Sequence, residues 1–188
     1  PEQVFLMMML PARSTSMRVA QEFLRAQLEG QHAQRMKKMP AFPILFAGDR
    51  DEMRFAAPLP ARVQGGGVWY YRLRVADVAG HTSLVLDRMI PDVTATSVPD
   101  FGGAEHSVLA TDVQSAAAVF SFYTSADPVN AIPLTTGSQL TAAQLKAVDS
   151  IDVSLNVQRA GGANVAGASM VQRVALPNAD SVVRTDGT

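Results

Sequence analysis

The sequence predicts an α+β fold, with an N-terminal helix packed on antiparallel β-sheet and a short helix inserted between late strands. Three observations carry this expectation. Apolar residues repeat at helical spacing from Met17, and alternating apolar and polar residues mark strands further on. Between those strands the chain has too few helices for parallel crossovers, so the strands are expected to pair antiparallel, with the helix laid on one or two sheets.

The helix comes first. Ser14, Thr15 and Ser16 offer N-caps, and Met17, Ala20, Leu24 and Leu28 then share one face. Arg18, Glu22, Arg25 and Glu29 fall on the other side at spacings that let the polar face pair with itself. The helix is expected from Met17 to about Gln31, with Gly30 a weak point. Pro40 and Pro43 open an extended region, where Ile44–Phe46 and Met53–Phe55 read as short strands joined by a turn at Gly48–Asp51. Pro58, Pro60 and Gly65–Gly67 form a loop. In the next strand Trp69, Tyr71, Leu73 and Val75 share one face, while Tyr70, Arg72 and Arg74 share the other. Asp77–His81 is a turn and Ser83–Leu86 the return strand.

Residues 90–107 carry two prolines and two adjacent glycines without periodicity, and read as a long loop. A strand is expected over Ala117–Thr124 and a turn over Asp127–Asn130. Thr141 with Gln144 has the spacing of a capping box, which predicts a short helix through Ala147. Ile151, Val153, Leu155 and Val157 then alternate with polar residues as a half-buried strand. A last strand runs from about Ser169 to Leu176. Residues 17–178 form the globular domain in this reading. Residues 1–16 are an N-terminal extension or the remnant of an anchoring segment, and 179–188 are a flexible tail. The run Val4–Leu10 fits a buried strand, a helix end or the stump of a longer segment. It lacks the charged leader and cleavage site of a signal peptide.

Bulk composition narrows the function. The chain has 188 residues, 47% hydrophobic and 18% charged, which suits one globular domain. Sixteen basic and 17 acidic residues give a net charge of -1, without the basic excess of a nucleic-acid binder. Arg35, Lys37 and Lys38, with His32 nearby, read as a solvated helix end. Cysteine is absent, which removes disulfides, cysteine nucleophiles and thiolate metal sites. Mean hydropathy is slightly positive, as expected where large apolar faces include some meant for partners. No run reaches the ~20 apolar residues that span a bilayer.

The search for chemistry finds no catalytic constellation. His32, His81 and His106 have no metal-ligand spacing, and the G-x-S-x-G pattern is absent. Gly65–Gly67 precedes a strand, so it offers no helix N-terminus to phosphate; Gly102-Gly103 and Gly161-Gly162 fail in the same way. Asp49, Asp51 and Glu52 are acidic enough to suggest calcium, but no glycine-centred loop closed by glutamate follows; at Asp92, Asp100 and Glu105 loop carbonyls could complete a site, and both sets read as solvated loop charges. No cofactor or metal is expected. Trp69 and Tyr71 point together towards the core. Tyr70, Arg72 and Arg74 share a face that meets either solvent or a partner, and they form the candidate partner interface because Tyr and Arg are the residues interfaces favour.

Several segments in order resemble a known family. VAQEFLRAQLEG (19–30), FPILFAGDRDEMRFAAPLPARVQGGGVWYYRLRV (42–75) and SLVLD (83–87) look like the soluble domain of the J-type minor pseudopilin of bacterial type II secretion. VLATDVQSAAAVFSFY (108–123), LTAAQLKAVDSIDVSLNVQ (140–158) and RVALPN (173–178) resemble the sheet end of pseudopilins and minor type IV pilins. The family's membrane-embedded N-terminal helix, with its leader-peptidase site and glutamate, has no match in Val4–Leu10. Trp69 is the lone tryptophan, where the J type often carries others after its FSFY-like strand. The resemblance implies a pilin-like fold and a non-enzymatic tip component of the pseudopilus. Its partners would be other minor pseudopilins and the major pseudopilin. It would be anchored in the inner membrane by the N-terminal helix, with the globular domain in the periplasm and this chain soluble. The alternatives are a minor type IV pilin, or a secreted ligand-binding module, which a deep pocket lined by Trp69 or Tyr71 would support.

Overall fold

The computed structural model describes residues 45–58, 68–90, 100–114, 118–157 and 168–176. These residues form two antiparallel sheets and one short helix. The five-stranded sheet has β1 (Leu45–Gly48), β2 (Glu52–Pro58), β3 (Val68–Val78), β4 (His81–Met89) and β5 (Glu105–Thr111), paired in sequence order. The three-stranded sheet has β6 (Phe120–Thr124), β7 (Val148–Val157) and β8 (Ala168–Ala175), with α1 (Ala142–Ala147) between β6 and β7.

This corrects the α+β expectation. The described residues are mostly strand, and their six-residue helix buries none of its side chains. The pilin-like arrangement of a long helix on a sheet is not what organises them; the core is built from strand faces of two sheets. The helix expected over 17–31 lies outside the described residues, as do residues 1–16, Gly65–Gly67, Gly161-Gly162 and the tail.

Local sequence accounts for most of the elements. β3 and β4 meet in a hairpin whose two turn residues, Ala79 (φ 53°) and Gly80 (φ 80°), both have positive φ. Such a turn matches the right-handed twist of its strands, and Asp77 Oδ1 accepts the Gly80 N–H at 3.0 Å. The strands are longer than expected because the turn takes only these two residues. At α1 the capping box forms as the spacing predicts: Thr141 Oγ1 accepts the Gln144 N–H, and Gln144 Oε1 accepts the Thr141 N–H.

The long-loop expectation over 90–107 fails at its C-terminal end. Glu105, His106 and Ser107 belong to β5, an edge strand that leaves its first four residues exposed and so shows no apolar alternation. The expected strand over Ala117–Thr124 starts at Phe120; Ala117 itself lies outside the described residues.

One core joins the sheets. Met53, Phe55, Tyr71, Leu73 and Leu84 of the larger sheet pack in the same cluster as Phe120, Phe122, Ile151, Val153 and Leu155 of the smaller one. Backbone bonds stitch the seam. The Arg50 carbonyl accepts from Val119 N and Phe120 N at 2.9 and 3.0 Å, and the Gly48 carbonyl accepts from Leu140 N at 2.8 Å. Gly48 is small for a reason: a Cβ there would stand 2.7 Å from Phe122 Cζ.

Candidate protein-interaction face

The strand alternation turns Tyr70, Arg72 and Arg74 away from the shared core, as the sequence predicts. It does not leave them as an open surface. Register aligns Arg54, Arg72, Asp87 and His106 in one row across β2, β3, β4 and β5. Asp87 is 0% exposed although it points away from the main core. Its Oδ2 accepts from Arg72 Nε at 2.7 Å and Arg74 Nε at 2.8 Å, and its Oδ1 is paired with His106 Nδ1. A buried carboxylate needs such donors, since desolvation disfavours its charge. Burial pushes the Asp87 carboxyl up, but the hydrogen bonds from Arg74, His106 and Arg72 outweigh it and hold the pKa below the ordinary 3.8.

Tyr70 is also covered, at 4% exposure. The turn Asp100–Ala104 lies over it, and Tyr70, Ala56, Phe101 and Ala104 form a second small cluster with Ala47 and Met89 against it. The Phe101 ring is fully buried, 4.9 Å from the Arg72 guanidinium carbon and 5.9 Å from that of Arg54. Arg54 is itself paired with Glu52, so the two neighbouring arginines each hold a carboxylate.

Of the three expected interface residues, the structure leaves Arg74 the most accessible: its side chain is 30% exposed, against 15% for Arg72. Arg74 opens on a cleft of about 620 Å³ lined also by Asp49, Arg50, Asp51, Glu52 and Arg72. Most charges of this cleft are engaged, but Asp51 Oδ1 is buried without a hydrogen bond from a described residue. Asp49 Oδ1 accepts the N–H groups of Asp51 and Glu52, and Arg50 donates to Thr136 Oγ1 at 3.0 Å. Of the acidic triplet, Asp49 thus serves the turn and Glu52 pairs with Arg54. Of the second acidic set, Asp100 accepts from Gly102 N, Glu105 pairs with Arg88, and Asp92 lies outside the described residues. Among the described residues no group of three His, Asp or Glu side chains is placed to hold a metal ion.

His81 opens β4 and meets Asp112 at 2.7 Å. Trp69 and Tyr71 are packed in the core, so the pocket that would have supported the ligand-module alternative is not formed by them. Sequence reasoning missed Asp87, His106 and Phe101. For Asp87 a signal existed: a two-residue turn at Ala79-Gly80 sets Asp87 opposite Arg72 by counting alone.

No helix among the described residues is long and apolar enough to cross a membrane. No protein-family model matches the chain, and a comparison with curated proteins finds no relative.

Proposed function

We propose that this chain is a non-catalytic assembly protein, a minor pseudopilin that binds sibling minor pseudopilins and helps to initiate the type II secretion pseudopilus. In this setting the globular part faces the periplasm, and an N-terminal helix of the kind the family carries anchors it in the inner membrane. The observation that supports the reading is the outer face of the five-stranded sheet. There Arg74, the most accessible of the three expected residues, is fixed by Asp87 before any partner arrives, and pre-set side chains lose less entropy on binding. The order of the motifs from 19 to 178 supplies the choice of partner class.

The test is to mix the full chain with the soluble domains of the minor pseudopilins encoded beside it, and to follow pull-down and size exclusion. A stable heteromeric complex is the expected result. Failure to form one with any sibling would remove this reading.

A further inference from the structure

The turn Asp100–Ala104 combines features that a purely structural cover does not require. Phe101 has φ 62°, in the left-handed region that aromatic residues rarely adopt. Yet its ring is 1% exposed, close to two guanidiniums and packed with Ala56 and Tyr70. Two hydrogen bonds hold the turn to itself: Ala104 N to the Phe101 carbonyl at 3.2 Å, and Gly102 N to Asp100 Oδ1 at 2.9 Å. The following pair, Gly102-Gly103, is exposed. A Cβ on Gly103 would meet nothing within 4 Å, one on Gly102 would meet only the Asp100 carboxylate at ordinary contact distance, and neither glycine has positive φ. Space and backbone conformation therefore do not demand glycine here; what the pair adds is backbone freedom beside a strained residue.

The socket beneath the ring keeps its shape by other means. Arg72 is held by Asp87 and Arg54 by Glu52, and both carboxylates are independent of Phe101. We propose that Asp100–Ala104 is a displaceable strap, and that the socket under Phe101 receives an aromatic side chain from a partner protein when the strap lifts. This rests on the assembly reading above. An aromatic group is the fitting occupant because paired guanidiniums attract the face of a ring, and the chain's own phenylalanine already fills the site to full depth. Strain released at Phe101 offsets part of the cost of opening, so a partner that supplies an equivalent ring shifts the population towards the open form.

The test uses the full chain with Phe101→Ala and the arginine side-chain Nε–H resonances of Arg54 and Arg72 in a ¹⁵N-labelled sample. N-acetyl-phenylalanine amide is the probe and N-acetyl-leucine amide the control. The folded variant should show shifts at both arginines with the phenylalanine amide, at an affinity about tenfold above the leucine amide, while the wild type, whose own ring competes for the socket, should respond more weakly at the same probe concentration. A folded variant with no shift at either arginine, or with equal response to both amides, overturns the proposal. Hydrogen exchange on the wild type covers the case in which the variant fails to fold. The Ala104 amide, bonded to the Phe101 carbonyl, should exchange by local opening at least about tenfold faster than the paired amides of β4. Exchange only through global unfolding overturns the strap. Sibling pseudopilins separate the two readings. If they bind wild type and Phe101→Ala equally, the strap is wrong and assembly stands; if they bind neither while the phenylalanine amide fills the socket, assembly is wrong and the socket stands.

Discussion

The two sheets share a core but treat their outer faces differently, and the contrast is sharpest at two aspartates. On the five-stranded sheet Asp87 is fully buried and gathers Arg72, Arg74 and His106. On the three-stranded sheet Asp152 meets Arg173 across the strands at 2.7 and 2.8 Å, but Arg173 remains 48% exposed and stacks over the Tyr123 ring. The neighbours of Asp152 on this face, Ser121 and Ser154, are small and polar, and Val171 beside Arg173 is 69% exposed. Similar distances thus carry different energies. Asp152 is itself 13% exposed, but its partner guanidinium opens to water, which screens the pair and leaves little net gain. The buried carboxylate has given up its water, so removing its donors, or leaving those donors without it, is costly.

Breaking the shared core should have the largest effect. Phe122→Ala removes a fully buried ring from the smaller sheet and should cost about 4 kcal/mol, read from urea unfolding as one transition seen alike by tryptophan fluorescence and circular dichroism. Two separated transitions would show that the sheets do not share one cooperative core. Asp87→Ala should follow, at about 3 kcal/mol in the same assay. A loss no greater than that of Asp152→Ala would erase the contrast between the faces.

Gly48→Ala probes the seam itself. Its Cβ would collide with Phe122 and crowd Leu140, so a loss of about 2 kcal/mol is expected, with Phe122→Leu in the same chain recovering part of it.

Acid sharpens the contrast further. Asp87 has a folded pKa below 3.8, so its contribution is complete above that value and is lost as pH falls through the folded pKa. Wild type should therefore lose stability below about pH 4 more steeply than Asp87→Asn. The Arg173 hydrogen bond also lowers the Asp152 pKa, against the opposing effect of burial. There, solvent screening leaves the smallest effect of the series: Asp152→Asn should move the urea midpoint within experimental scatter, and a large shift would mean the pair is better shielded than its exposure indicates.

The sequence made regular, half-buried strands legible. Trp69–Val75 and Ile151–Val157 alternate because one face meets the core, and the Thr141–Gln144 box marked α1. What it hid were elements whose residues do not face a single solvent. β5 exposes Glu105 to Val108 and carries no apolar rhythm. Phe101 sits in a glycine-rich stretch that reads as loop, and its burial depends on β2 and β3, far away in sequence. Arg72 and Arg74 were found as a polar face, but the convergence of a carboxylate, an imidazole and a turn upon them is set by strand register and by the path of residues 100–104. The α+β reading gave the helical periodicity of 17–31 an organising role that the described strands do not need.

The Arg50 carbonyl has a consequence for how the molecule is made. It waits for Val119 and Phe120, and the Gly48 carbonyl waits for Leu140. A chain that emerges N-terminus first has all five strands of the larger sheet in hand while the inner face of Phe55, Tyr71 and Leu84 still lacks its cover. Distant closures of this kind slow folding and prolong the exposure of apolar surface. Among the described residues, the five-stranded sheet is thus the part that most needs shielding until β6 to β8 arrive.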